Sequence, residues 1–410
     1  MADKTILFVP CKGVTHVPMF KAIIDSLQNS NTRFSFHALS FDDYYHEDSE
    51  KFLTDYGIPF TRIRNFTGLP YPLTPFRPWL NLKNQYKMSQ QIRRALHFTR
   101  PDLVVFANDA LAGAQHVLYE TKKLGIPSVL VEDSLRQNLH VNGKVGLNGF
   151  SAHAGTRIMK RILGLPENLA ADYGAGKCDR LCVMGDKSRR QFIQLGVEPD
   201  KIVVTGQPRY DELFLLLNNG AMKAGKSRRK FNILYASHPF SHYGRFSAFY
   251  EDQMLKAVLQ TIKELGPEYS LTIKLHPSES EHRFHHVLRK LGGDNVSTTR
   301  NLNIYDLFKE CSLVVGAAST VILEAMLFKK PIITLDFSRR ADSLPYSEKG
   351  AALRVQKPEK LRNAITDALF NEKLRCRIRK GQKQFLEEYV YRIDGRAAKR
   401  VTRVILELMT

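Results

Sequence analysis

The sequence predicts two α/β domains in tandem, each a doubly wound parallel sheet, on three observations. At 410 residues the chain is too long for one typical core and about right for two domains of roughly 200 residues. Short apolar runs rich in β-branched residues alternate with helical stretches along nearly its whole length. That alternation is interrupted once, near residue 218, and then resumes.

In the first half the strand-like runs are TILFVP (5–10), RFSFHALS (33–40), DLVVFAN (102–108), PSVLVED (127–133), RLCVMG (180–185) and KIVVTG (201–206). They are almost uniformly apolar, the pattern of parallel strands covered by helices on both faces. Between the first two, Met19, Phe20, Ile23, Ile24 and Leu27 recur at helical spacing and give one face to a sheet. The polar, basic stretch NNGAMKAGKSRRK (218–230) reads as a solvated linker. FNILYAS (231–237), YSLTIKLHP (269–277), SLVVGA (312–317), PIITLDF (331–337) and AALRV (351–355) then supply the strands of a second sheet. The expected division is a first domain over 1–218, a basic linker over 219–230, a second domain over 231–385 and a last helix within 386–410. Two such domains are expected to face each other across a cleft at the C-terminal ends of their strands, where loops and helix N-termini gather.

Composition narrows the partners. Hydrophobic residues make up 43% of the chain and charged residues 25%, ordinary for a globular protein. No apolar run approaches the roughly 20 residues of a membrane helix, and the N-terminus lacks a signal peptide's apolar core. Five scattered cysteines, with Cys178 and Cys182 lacking a second pair, argue against a zinc site and for a reducing cytoplasm. The net charge of +20 favours anionic partners: nucleic acid, anionic lipid or phosphorylated substrates. No zinc finger, RNA-binding aromatic signature or basic zipper accompanies that charge, so nucleic acid is not expected.

Four segments carry candidate chemistry. After SLVVGA come Ser319 and Thr320 at a helix N-terminus, a ready anion site, with Glu324 one turn on in an otherwise apolar helix. Either this is a donor site or Ser319 caps the helix and Glu324 is solvated. His276–Pro277 ends another strand of the same domain, and Ser237–His238 a third, which suggests one shared ligand. In the first domain Gly13 opens the turn after the first strand and His16 follows, where it would act as a base or as a packing residue. Glu132–Asp133 at the end of PSVLVED offer paired carboxylates, one of which would be a base unless they only begin the irregular stretch over 134–150.

These residues resemble a known group. KIVVTGQPRYDELF (201–214), the KLHP strand end, AASTVILEAMLFKKPIITLDF (317–337) and DGRAAKRV (394–401) are similar to segments of GT-B enzymes of bacterial envelope biosynthesis. That group includes capsule glycosyltransferases, CDP-glycerol glycerophosphotransferases and UDP-N-acetylglucosamine 2-epimerases. Thr15–His16–Val17–Pro18 is similar to the Gly-His-x-x-Pro turn of nucleotide-sugar transferases, with Thr15 in place of the glycine and Pro18 one residue early. The similarity covers 180–410 by motif and the first 180 residues by pattern alone. It implies that His276, Ser319 and Thr320 contact the donor phosphates and that Glu324 holds the ribose. Gly206 would let the chain pass near the cleft, Arg209 would add positive charge there, and His16 or Asp133 would be the acceptor base. It also implies a last helix that crosses back to the first domain.

The leading expectation is therefore a glycosyltransferase moving a sugar from a nucleotide-activated donor to a saccharide or lipid-linked acceptor. Such an enzyme would build surface polysaccharide or glycolipid, working in the cytoplasm or on the inner membrane's cytoplasmic face. No Asp-x-Asp motif follows an early strand, so metal-independent chemistry without a cofactor is expected. The alternatives are a CDP-polyol phosphotransferase, a nucleotide-sugar 2-epimerase and a non-catalytic binder of anionic polymer or membrane. The epimerase ranks lower because Ala317–Ala318 replace a glycine pair and no Thr-Glu-Arg-Pro follows the next strand. For the binder, TRIMKRILGL (156–165) sets Ile158, Met159, Ile162 and Leu163 on one face and basic residues on another. That helix would either lie on an anionic membrane or pack its apolar face into the core.

Overall fold

The structure is a computed structural model. It describes residues 3–45, 47–65, 78–135, 154–166, 173–174, 177–218, 231–241, 247–276, 279, 281–317, 319–338 and 344–410. The expected linker over 219–230, most of the irregular stretch over 134–150, and Pro277 lie outside these residues. Two compact units emerge. Unit 1 takes in Met1–Leu135, Gly143–Leu215 and Tyr389–Thr410, and unit 2 is built on Leu216–Glu388.

In unit 1 the strands are β1 (Lys4–Val9), β2 (Phe34–Ser40), β3 (Phe60–Arg62), β4 (Leu103–Phe106), β5 (Ser128–Val131), β6 (Arg180–Val183) and β7 (Ile202–Val204). They form one parallel sheet in the order β3-β2-β1-β4-β5-β6-β7. The helices are α1 (Gly13–Gln28), α2 (Asp42–Tyr45), α3 (Ser49–Asp55), α4 (Pro78–Thr99), α5 (Ala112–Lys123), α6 (Ala154–Ile162), α7 (Asp186–Gln194) and α8 (Arg209–Asn218). Alternation along β1 shows why its run is wholly apolar. Ile6 and Phe8 pack with Val17, Phe20 and Ile23 of α1 on one face, while Leu7 and Val9 join Met88 and Ile92 of α4 on the other.

Unit 2 repeats the plan with β8 (Phe231–Ala236), β9 (Tyr269–Lys274), β10 (Val296–Thr299), β11 (Leu313–Gly316), β12 (Ile332–Leu335) and β13 (Leu353–Val355). Their order is β10-β9-β8-β11-β12-β13, again all parallel. The helices are α9 (Ala248–Leu265), α10 (His285–Leu291), α11 (Ile304–Glu310), α12 (Thr320–Leu327), α13 (Leu361–Phe370) and α14 (Glu372–Tyr389). In both sheets the chain reverses direction of growth beside its first strand, at β1/β4 and at β8/β11, which are the switch points where open α/β sheets bind ligands.

The last helix, α15 (Ala397–Leu408), belongs to unit 1. Val401, Val404 and Ile405 are buried in the α1 face of the core, and each contributes about 1.5–3 kcal/mol by burial. Asp211 on α8 receives the Ala397 and Ala398 N–H groups at 2.9 and 2.7 Å, capping α15 from outside its own sequence. Arg400 donates to the Thr205 carbonyl at 2.6 Å and grips Asp394 with both its terminal nitrogens at 3.0 Å. The segment 394–401, which suggested a returning helix, thus meets the segment 201–214 in one contact. No helix among the described residues is long and apolar enough to cross a membrane.

Candidate functional site

Strand ends position the candidate residues in each unit. In unit 2, Ala236 is in register with Lys274 on one side and Gly316 on the other. The loops after β9, β8 and β11 therefore leave three adjacent strands at one level, within about 10 Å at the usual strand spacing. Ser237, His276 and Ser319 each sit in one of these loops. The Ser237 hydroxyl donates to the Glu279 carboxylate. The His276 N–H donates to the same carboxylate at 2.8 Å, and the Glu279 N–H returns to the His276 carbonyl at 2.9 Å. Glu279, which the sequence reading passed over, is what joins the first two turns. The His238 ring stands edge-on to His276, centroids 6.2 Å apart, and to Phe240 at 4.5 Å.

Ser319 occupies the N-cap position of α12 in extended conformation, yet its side chain makes no capping hydrogen bond. Its carbonyl instead receives the Tyr346 hydroxyl at 2.9 Å and the Ile322 N–H at 3.1 Å. The capping role that competed with an anion-binding role is therefore not the one the geometry supplies. Thr320 opens the helix, and Glu324 one turn on is buried rather than solvated.

In unit 1 the candidate titratable groups gather around the start of the first helix. His16 is fully buried, and its ring is used on both sides. The Cys11 N–H donates to Nδ1 at 3.0 Å, which makes Nδ1 the acceptor. Nε2 then carries the hydrogen and donates to Asp133 Oδ2 at 3.1 Å. Burial holds the imidazole below its ordinary pKa against the pull of Asp133, with Lys12 and Arg209 adding to the depression. His16 is thus a neutral positioning group with no nitrogen left over, which removes it as an acceptor base. Asp133 is pushed up by burial, but the His16 N–H, Lys12 and the Ser134 hydroxyl outweigh this and keep it ionised. Its N–H lies 3.2 Å from the Tyr173 hydroxyl.

Glu132, the other candidate base, is 1% exposed and held within the fold. Its carboxylate accepts the Met184 N–H at 2.7 Å and the Ser188 hydroxyl at 2.9 Å, pinning the end of β6 and the first turn of α7. Gln207 donates to the Glu132 and Asp133 carbonyls at 2.8 and 3.1 Å and fixes the strand end from β7. Gly206 has φ +82°, and a Cβ there would lie 2.7 Å from the Tyr391 carbonyl. Its freedom serves close approach of the C-terminal segment inside unit 1, not of a cleft. Arg209 begins α8 near enough to His16 to disfavour its protonation, and its guanidinium lies over the Tyr210 ring.

The sequence reading missed Glu47 and Lys12. Gly13 has no side chain, and a Cβ there would come 2.7 Å from the Asp48 carbonyl, so the segment before α3 presses on the start of α1. That packing sets Glu47 in the field of Lys12. Burial pushes the Glu47 carboxyl up to about 7, Lys12 opposes this, and Asp48 and Asp42 add to it. Nothing in the spacing of Glu47 marks it, because the contact is tertiary.

Comparison with known proteins follows this geometry. The family described as UDP-N-acetylglucosamine 2-epimerase matches residues 150–406. No curated protein matches. Among solved structures, an S. aureus protein, MnaA, determined with UDP, is 15% identical, with TM-score 0.64 over 99% of this chain and 97% of its own. The UDP-GlcNAc 2-epimerase of Neisseria meningitidis, bound to UDP-GlcNAc, is 16% identical, with TM-score 0.60 over 99% and 100%. A kitacinnamycin glycosyltransferase is 14% identical, with TM-score 0.66 over 100% of both chains. At these identities the structures share the fold, the GT-B class of two doubly wound sheets. The family match covers more than half of the sequence, and the chain belongs to the UDP-N-acetylglucosamine 2-epimerase family.

Proposed function

We propose that this protein binds a nucleotide-activated sugar and inverts its configuration at C2, the lower-ranked of the sequence-based enzyme readings. The observation that carries it is the family match over 150–406, which outweighs the substitution of Ala317–Ala318 for glycines. Nucleotide binding is assigned to the loops of unit 2 that carry Ser237, His238, His276 and Ser319–Thr320, with Glu324 on the ribose. The α12 N-terminus and His276 supply the positive end toward a diphosphate, so the reaction proceeds without a metal. Proton handling is assigned to unit 1. Inversion at a C–H centre requires one group to accept a proton and another to return one. Glu47, held near neutrality, is suited to that exchange, while Asp133 stays ionised and accepts from a hydroxyl.

Glycosyl transfer is the second reading, favoured by the kitacinnamycin glycosyltransferase, which aligns over the full length of both chains. One experiment separates the two. The protein is incubated with UDP-GlcNAc in deuterated buffer, with and without EDTA, and followed by proton NMR. Loss of the C2 proton signal with appearance of the inverted sugar, unaffected by EDTA, is the expected result. Nucleotide binding without any C2 exchange would refute epimerisation and leave transfer to an acceptor. Abolition by EDTA would refute the metal-independent assignment.

A further inference from the structure

We infer that the side of unit 1 formed by α4, α5 and α6 docks on an anionic lipid surface. The observation behind it is that α6 leaves part of its apolar face outward: Met159 and Leu163 are partly buried, but the two isoleucines are not. Ile158 and Ile162, four residues apart and so on one side of the helix, are 61% and 72% exposed, while Lys160 between them is buried. Lys160 lies near His116 of α5, which burial holds in its neutral form, with the Lys160 charge adding to that hold. The end of α6 is tied down: the Gly164 carbonyl accepts from Arg93 of α4 at 2.9 Å and from Lys123 of α5 at 3.2 Å. Leu124, next to Lys123 at the end of α5, is a further aliphatic residue left 62% exposed.

The surroundings of this patch choose its occupant. In sequence α4, α5 and α6 contain nine lysines and arginines and a single carboxylate, Glu120. Glu120 is buried and paired with Arg93 at 2.9 Å, so it offsets little of the charge outside. A second copy of this surface would meet like charge, which disfavours self-association there. Nucleic acid would use the cations, but the exposed apolar side chains of α6 are aliphatic and offer its bases no stacking platform. A bilayer of anionic lipid takes both features at once: isoleucines enter the headgroup boundary while Arg161 and Lys123 stay among the phosphates. The helix is too short to do more than lie in the interface. This holds whichever sugar reaction the enzyme performs, and it brings a soluble fold to lipid-linked or membrane-proximal substrates.

The test is flotation of the full chain with vesicles of zwitterionic lipid alone or mixed with phosphatidylglycerol, in low and in high salt. Wild type is expected to float with the anionic vesicles in low salt only. The double variant Ile158→Ser, Ile162→Ser is expected to bind them about tenfold more weakly or worse. Its melting temperature and its thermal shift with UDP should match wild type, which separates lost docking from lost folding. Equal flotation of wild type and variant would overturn the proposal, as would no flotation of either. A wild-type dimer that the double variant converts to monomer would assign the patch to a second copy instead. Displacement from vesicles by equimolar single-stranded nucleic acid would also overturn it.

Discussion

Replacing His116 with glutamine should flatten the dependence of unit 1 stability on pH. His116 is buried on α5, with Nδ1 2.6 Å from the Ser89 hydroxyl and Nε2 lacking a hydrogen-bond partner among the described residues. Burial, then the positive charges of Lys160 and Arg93, push its pKa down to about 3 from an ordinary 6.5. The folded protein therefore keeps this ring neutral where the unfolded chain already protonates it. Stability is complete above pH 6.5 and is lost as pH falls from 6.5 toward 3, at up to about 1.4 kcal/mol per pH unit. Integrating between pH 7.5 and 5.0 gives a loss of about 2 kcal/mol from this one residue. Glutamine keeps a polar partner for Ser89 and does not titrate. His16 and His37 are also held below their ordinary pKa, but both remain in the variant and cancel in the comparison. The assay is urea unfolding at the two pH values followed by fluorescence of Trp79, the chain's single tryptophan, which lies on α4. Wild type should lose about 2 kcal/mol more than His116→Gln on acidification. Equal losses in the two proteins would refute the reasoning.

Other outcomes follow from the same geometry. Glu47→Gln should lower kcat/KM for the nucleotide sugar by about 10²–10⁴ and abolish the rise in rate through pH 7 as the carboxyl ionises; an unchanged pH profile would exclude it as the proton carrier. Gly206→Ala should cost about 2–4 kcal/mol in chemical denaturation, since it combines φ +82° with a 2.7 Å approach to the Tyr391 carbonyl; a loss under about 1 kcal/mol would contradict that packing. UDP should raise the melting temperature of wild type, and Ser319→Ala and His276→Ala should each reduce the shift; full shifts in both would move the nucleotide away from these loops.

Much of the fold was written in local pattern. Buried parallel strands need apolar runs, so β1, β4, β5, β8, β11 and β12 announced themselves. Among the edge strands, β7 and β13 were read from their apolar runs, whereas β3 and β10 were not: β10 reads VSTT, with its two central residues exposed, and β3 is three residues ending in an exposed arginine. The turn at Ser319–Thr320 was legible for the same reason, since a helix N-terminus after a buried strand is a local feature. The outward turn of Ile158 and Ile162 on α6 was not. A 9-residue amphipathic segment states which residues share a face but not which face is turned inward, and here the Gly164, Arg93 and Lys123 contacts are tertiary.

The proton chemistry of unit 1 divides in the same way. Sequence alone supplied His16, Glu132 and Asp133 as titratable groups at strand and helix ends. Only the tertiary structure distinguished them, because a hydrogen bond consumes a lone pair or a proton that composition cannot count. The Cys11 N–H fixes the tautomer of His16, Met184 and Ser188 consume Glu132, and the pressure of Asp48 on Gly13 puts Glu47 beside Lys12. The sequence determined which elements form and where their ends lie, since these depend on neighbours in the chain. Which side chains remain available for chemistry was decided by contacts that folding makes, as between His16 and Asp133, 117 residues apart.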